Sequence, residues 1–247
     1  MTCPLPGGLC AIHQPNFLPR LSTLAKLFAA DYWIVLDDVQ FTRRDYQHRA
    51  RLASTSHPTR RRWLSIPTHL PHGRSTVIRD AVLVDPERSR RRVMHMLALH
   101  YRSCPDWPVL RHELDSALAQ FRQSDKTADV AEASTRMLLN LVGWEGRILY
   151  SSQLPARSER SQRLADLTAV TGSRGYLCGT GGTRYLEVGP FKAHGIAVIP
   201  FRTPTKGIWE GGRDVSAVHP LMTYGIGAVS EELHAVASGH RIRGLAD

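Results

Sequence analysis

Two short apolar runs, separated by a helical interval and each ending in polar residues, confine the start of this chain to a strand–helix–strand unit. Leu9 to Ile12 is wholly apolar, as expected of a strand buried on both faces. Leu18 to Ala29 places Leu21, Leu24, Leu27 and Phe28 on one side of a helix, and Trp33 to Leu36 forms the next apolar run. In a parallel sheet, ligands bind outside the carboxyl ends of the strands. His13-Gln14 follows the first strand and Asp37-Asp38 the second, so an imidazole, an amide and two carboxylates are expected on one rim.

The rest of the chain alternates strands and helices around a helical middle. Thr42 to Arg51 reads as a polar, basic connection. Trp63 to Pro67 and Val77 to Val84 read as short strands or a hairpin joined by the turn-rich Pro71-His-Gly73. Helices are expected from Pro86 through Tyr101, over Val109 to Phe121 and over Lys126 to Val142. Ile148 to Tyr150, Gly175 to Cys178 and Ala197 to Ile199 read as strands, with a helix from Ser158 to Thr171 that stops at Gly172. The expected fold class is α/β: a mainly parallel sheet flanked by helices, in one domain over residues 1–247, with a helical insertion over residues 86–145.

The 247 residues carry a formal charge of +10, which at first suggests a nucleic-acid partner. The excess is spread along the chain, with local clusters only at Arg60-Arg61-Arg62 and Arg90-Arg91-Arg92. Lys26, Lys126, Lys192 and Lys206 are the four lysines, so arginine supplies the other 28 basic residues, a bias that a GC-rich genome produces by itself. The pattern therefore argues for solvated surface or an anionic small molecule and against nucleic acid. No apolar run approaches a membrane span. Cys3, Cys10, Cys104 and Cys178 show no zinc-site spacing and follow no secretory signal, so reduced thiols and a cytoplasmic location are expected.

A third site element is Tyr176-Leu-Cys-Gly-Thr-Gly-Gly-Thr-Arg-Tyr185, where an apolar strand runs into glycines. Such a cluster lets backbone amides approach a ligand closely. No phosphate-loop lysine and no Gly-x-Gly-x-x-Gly accompanies it. Its importance is positional, because it brings Cys178 and the Gly179 to Gly182 amides to the rim that holds His13 and Asp37.

His13-Gln-Pro-Asn-Phe-Leu-Pro19, Leu36-Asp-Asp-Val-Gln-Phe41, Gln47-His-Arg49, Arg163-Leu-Ala-Asp166 and Cys178-Gly-Thr-Gly-Gly182 together resemble the WbqC-like family over nearly the whole chain. The resemblance implies a biosynthetic role, since the family is associated with bacterial polysaccharide gene clusters, O-antigen assembly and other biosynthetic clusters. Three departures stand out. His48 occupies a position that is usually asparagine, Cys178 one that is usually serine, and His219 one that is usually aspartate in the segment beginning at Ser216.

Individual residues then take expected roles. His13 offers a base or acid near neutral pH. Successive strand residues face opposite ways, so one of Asp37 and Asp38 is expected to face the ligand while the other braces Arg43, Arg44 or Arg49. Cys178 is a candidate nucleophile or a small buried residue. Gln14, Asn16, Gln40, Arg43, Gln47, Arg49, Gly179, Gly181, Gly182 and Tyr185 form the expected substrate-binding set; amides and guanidinium groups bind or brace rather than carry protons. Gly73 to Arg79 offers a weaker phosphate-binding stretch.

Three functions fit these residues. The first is an acyl or aminoacyl transferase that forms an amide on an amine such as an amino sugar, from an activated donor such as a carrier-bound thioester. In it His13 takes the amine proton, Asp37 or Asp38 orients and charge-stabilises it, and the glycine-loop amides hold the developing oxyanion. The second is nucleotidyl transfer on ATP or a sugar nucleotide. The third is a non-catalytic protein that binds a carrier protein or an anionic polymer. A small-molecule substrate and an acyl carrier protein are the partners considered. No cofactor is required by these readings, although His13 with Asp37 or Asp38 offers ligands for a divalent metal.

Overall fold

The computed structural model describes residues 8–55 and 57–245, so Cys3 lies outside the described residues. β1 (Leu9–His13), α1 (Leu21–Phe28) and β2 (Tyr32–Val35) form the expected unit, with β1 and β2 parallel and Ala11 opposite Trp33. The helix begins at Leu21 rather than Leu18. Leu18 has a φ of +43°, outside the helical region, and Pro19 has no amide hydrogen to give.

Beyond β2, the chain departs from the expected pairing. β3 (Arg49–Ala53) and β4 (Arg61–Ser65) form an antiparallel hairpin, whereas β5 (Thr68–His69) pairs with β6 (Val82–Leu83). The Trp63 segment therefore pairs with the end of the stretch read as a polar connection, not with Val77 to Val84. The physical reason is alternation. Ala50 and Leu52 face inward from β3, but Arg49 and Arg51 occupy its outer positions and mask the apolar signal. Within 77–84, Ile78–Asp80 is a 3₁₀ turn tied down by Ile78 N–H to Val39 O and Arg79 N–H to Asp37 O.

The helical middle consists of α2 (Pro86–Tyr101), α3 (Trp107–Leu118), α4 (Gln120–Gln123) and α5 (Thr127–Leu141). Asp85 caps α2 by accepting the Arg88 amide at 2.9 Å, and Pro86 occupies the first turn, where a missing N–H costs nothing. Val93, Leu97, Tyr101, Leu110, Leu114 and Leu138 share one apolar cluster with Leu21, Leu24 and Trp33 of the N-terminal unit.

The second half supplies β7 (Arg147–Tyr150), α6 (Arg160–Val170), β8 (Gly175–Cys178), α7 (Gly189–Ala193), β9 (Ala197–Pro200), α8 (Val218–Tyr224) and α9 (Ile226–Leu245). The five-stranded sheet has the order β7-β2-β1-β8-β9 and is parallel throughout. Its two faces bury alternate residues: Leu9, Ala11, Trp33 and Val35 on the side of α1 and α5, and Cys10, Ile12, Tyr32 and Ile34 on the side of α6 and α7. The fold is the expected α/β class, a parallel sheet flanked by helices. Gly175 holds the centre tight, since a Cβ there would come within 2.6 Å of Leu9 and 2.8 Å of Ile199.

From β1 the chain fills one half of the sheet through β2 and β7, then returns to β8 on the other side of β1. The strand order reverses between β1 and β8, and the loops after them part to leave a crevice at the carboxyl edge.

Candidate functional site

A cavity of about 670 Å³ opens at that crevice, within the size range of small-molecule sites. Ile12, His13 and Gln14 line it from β1, Arg20, Thr23 and Lys26 from α1 and its approach, and Gly179 to Gly182 from the loop after β8. Arg160, Arg163 and Leu164 of α6, together with Tyr185 and Arg213, complete the wall. Five cationic side chains, those of Arg20, Lys26, Arg160, Arg163 and Arg213, face the cavity against one carboxylate, that of Asp45. Charge that is dispersed along the sequence is thus gathered at one site.

His13 ends β1. Its Nδ1 lies 2.8 Å from the Gln14 carbonyl, which can only accept, so Nδ1 carries the proton and Nε2 keeps its lone pair. Burial pushes the imidazole down to about 3, and the nearby Lys26 charge pushes the same way. His13 is therefore neutral at ordinary pH. The main chain behind it is clamped, with Trp33 Nε1 donating to the His13 carbonyl at 3.2 Å.

Lys26 is 7% exposed and sits in a helix in which Leu21, Leu24, Leu27 and Phe28 are also buried. Its Nζ donates to the Ile12 carbonyl at 3.1 Å, and among the described residues no carboxylate pairs with it. Burial pushes the ammonium down to about 8, opposed by the Cys178 and Cys10 sulfurs. A buried cation without a counter-ion is expensive, and a ligand's anionic group is the natural partner.

Neither Asp37 nor Asp38 lines the cavity, and neither pairs with Arg43, Arg44 or Arg49 as expected. Asp37 is buried and accepts from Ser151 Oγ at 3.0 Å, Ser152 N–H at 3.1 Å and Ser152 Oγ at 2.7 Å. Asp38 accepts from Ser151 Oγ at 2.6 Å and forms an ion pair with Arg163. Burial raises the Asp38 carboxyl, but the hydrogen bonds from Ser151 and Arg163 and the Arg163 charge outweigh it and hold the group below the usual carboxylate range. The two aspartates lock the ends of β2 and β7 together and aim Arg163 into the wall.

The remaining expected residues divide into two groups. His13, Gln14, Gly179, Gly181, Gly182 and Tyr185 meet at the cavity. Gln47 stands behind them, 1% exposed, with its Nε2 donating to Gln14 Oε1 at 2.7 Å. Asn16 is buried and gives its carbonyl to Thr135 Oγ1 at 2.7 Å, which together with Ser134 Oγ on the Leu18 amide at 2.9 Å fixes the β1–α1 loop. Gln40 braces the Arg74 carbonyl at 2.6 Å, Arg43 is exposed, and Arg49 stacks on Trp63, all outside the cavity.

Cys178 is fully buried under Gly182, where burial raises its thiol and a Cβ on Gly182 would meet its Sγ at 2.8 Å. The structure gives it a packing position rather than access to the cavity. His219 is likewise removed from the site, its ring tilted at 47° to that of Tyr101 with 6.4 Å between centroids. Among the described residues no cluster of three His, Cys, Asp or Glu side chains could hold a metal ion.

Sequence reasoning missed Lys26, Arg20, Arg160 and Arg213. For Lys26 a signal existed: a charged residue on an otherwise apolar helix, and one of only four lysines. The arginines gave none, because their convergence depends on α6 and on the loop before α8.

Fold and site together define a parallel α/β protein with a cationic ligand cleft at its topological switch point. The chain belongs to the WbqC-like protein family, whose model matches residues 14–208. It is also 22% identical, over 233 residues, to a Mycobacterium tuberculosis (strain ATCC 25618 / H37Rv) protein named "Uncharacterized protein Rv1507c"; the match covers 88% of this chain and 94% of that protein. No solved structure matches it.

Proposed function

We propose that this protein is a biosynthetic transferase that moves an acyl or aminoacyl group from an activated, anionic donor to an amine acceptor such as an amino sugar. The observation that carries the reading is the pairing of a buried Lys26, which has no carboxylate partner among the described residues, with a neutral His13 whose Nε2 is unprotonated, in one cleft at the carboxyl edge of the sheet. Lys26, with Arg20, Arg160 and Arg213 around it, holds the anionic group of the donor.

The amine nitrogen attacks the donor carbonyl, forming the C–N bond while the bond to the thiol leaving group breaks. His13 Nε2 takes the proton released by nitrogen and passes it to the departing thiolate. The free imidazole is a weak base because of its surroundings. Neutralising Lys26 with the donor's own anion removes one cause of that weakness, so donor binding raises the basicity of His13. The Thr180 and Gly181 amides, which donate to no acceptor among the described residues, supply hydrogen bonds to the developing oxyanion. A cytoplasmic location suits a cleft of this kind, as do the free thiols of Cys10, Cys104 and Cys178. An acyl carrier protein is one source of the thioester.

A second reading, nucleotidyl transfer, is favoured by the strand order, which is that of many nucleotide-binding sheets. The two separate on turnover. Purified protein is supplied either with acyl and aminoacyl thioesters plus amino sugars, or with magnesium, nucleoside triphosphates and sugar phosphates. Free thiol release that depends on His13 identifies the acyltransferase; pyrophosphate release without thiol release identifies the nucleotidyltransferase. Full thiol release by folded His13→Ala protein removes His13 as the base.

A further inference from the structure

The outer face of the β3–β4 hairpin carries Arg49, Arg51 and Trp63, with Arg51 and Trp63 opposite each other in the register. Ala50, Leu52 and Leu64 fill the core from the other face, so alternation alone sends the indole and the two arginines outward. Trp63 is 37% exposed, whereas Trp33, Trp107 and Trp209 are buried. The Arg49 guanidinium lies 4.2 Å from the indole centroid and that of Arg51 5.4 Å. Arg49 is held in place by donating to the carbonyls of Asp45 and Arg44.

This stack runs to the cleft. The Tyr46 ring is 5.6 Å from Trp63, and the Arg20 guanidinium, which lines the cavity, lies 4.2 Å above Tyr46. An exposed ring on the fixed Arg49 guanidinium, linked through Tyr46 and Arg20 to a cationic cavity, matches a ligand that has a flat ring at one end and phosphate at the other. An acidic peptide would satisfy the charges but leave the indole without a stacking partner.

We propose that Trp63, Arg49 and Arg51 form a stacking subsite for the base of a nucleotide whose phosphates enter the cleft at Arg20 and Lys26. The proposal rests on the reading of the cleft as an anion site, and it names the donor class: a nucleotide-bearing acyl thioester, as in an acyl-coenzyme A.

The test titrates the full chain with ADP, inorganic pyrophosphate and adenosine, read by calorimetry and indole fluorescence. ADP binds about tenfold or more tightly than pyrophosphate, in line with base–aromatic stacking. Trp63→Ala abolishes that advantage and the fluorescence quench without moving the pyrophosphate affinity or the melting temperature, and Trp63→Tyr keeps most of the advantage. Equal binding of ADP and pyrophosphate, or an ADP advantage that survives Trp63→Ala, overturns the stacking subsite and leaves the anion site standing. Quenching by adenosine that depends on Trp63, without pyrophosphate binding, overturns the anion site and leaves the stacking subsite standing. Binding of none of the three overturns both.

Discussion

Lys26 donates from α1 to the carbonyl of Ile12, so the one buried lysine of the cleft is tied to the residue immediately before His13. The contact joins the end of the first helix to the end of the first strand and couples two titrating groups. Burial is the larger cause of the lowered His13 value and the Lys26 charge adds to it, so whatever neutralises Lys26 removes that second contribution.

That coupling makes Lys26 a cost to the empty protein. Its folded value of about 8 lies below its ordinary 10.5, so folding is penalised in full below pH 8, and the penalty fades as pH rises from 8 to 10.5. Lys26→Met is expected to melt a few degrees above the parent at pH 7, with the gap closing by pH 10.5, and to lose pyrophosphate binding. Melting curves at several pH values check both the sign and the window.

Anion affinity should follow the protonation of Lys26 in the same range. Binding of pyrophosphate or donor weakens as pH rises through about 8, and on binding the His13 titration moves upward from about 3. Histidine ring chemical shifts, followed with and without ligand, measure this; an unmoved His13 titration would show that the two groups are not coupled.

Acid lability has a defined source at the same place. His13 is held at about 3 when folded against an ordinary 6.5, so its contribution to stability is lost as pH falls from 6.5 toward 3. His13→Ala should show a shallower loss of stability across that window in denaturant titrations.

Cys178 and Gly182 form a pair that separates packing from chemistry. Cys178→Ala is expected to keep turnover, at a cost in stability of about 1 kcal/mol for the small void. Gly182→Ala alone should damage the loop, because the added methyl meets Sγ at 2.8 Å, and the double variant should recover ligand affinity. Loss of turnover in Cys178→Ala with affinity intact would return the thiol to the chemistry.

The hydroxyl anchors of the β1–α1 loop are open to the same treatment. Ser134→Ala leaves the buried amide of Leu18, a residue itself held at a φ of +43°, without its acceptor. A destabilisation of about 1–3 kcal/mol is expected, together with weaker donor binding as His13 and Gln14 lose their setting. Chemical denaturation and ligand titration of one preparation report both.

Periodicity by itself determined the strands β1, β2, β7, β8 and β9, the helical middle and the rim that carries His13, Gln14 and the glycine loop, because wholly apolar short runs and 3.6-residue spacing follow from local burial. Pairing of β3 with β4 was hidden, since arginines on the outer positions of a two-stranded hairpin carry no apolar signature and partner choice is non-local. The roles of Asp37 and Asp38 were decided by Ser151, Ser152 and Arg163, more than 100 residues away, which turn both carboxylates from the ligand to the frame. Only the tertiary structure could gather Arg20, Arg160 and Arg213 around Lys26, because electrostatic convergence depends on distance in space and not on spacing along the chain.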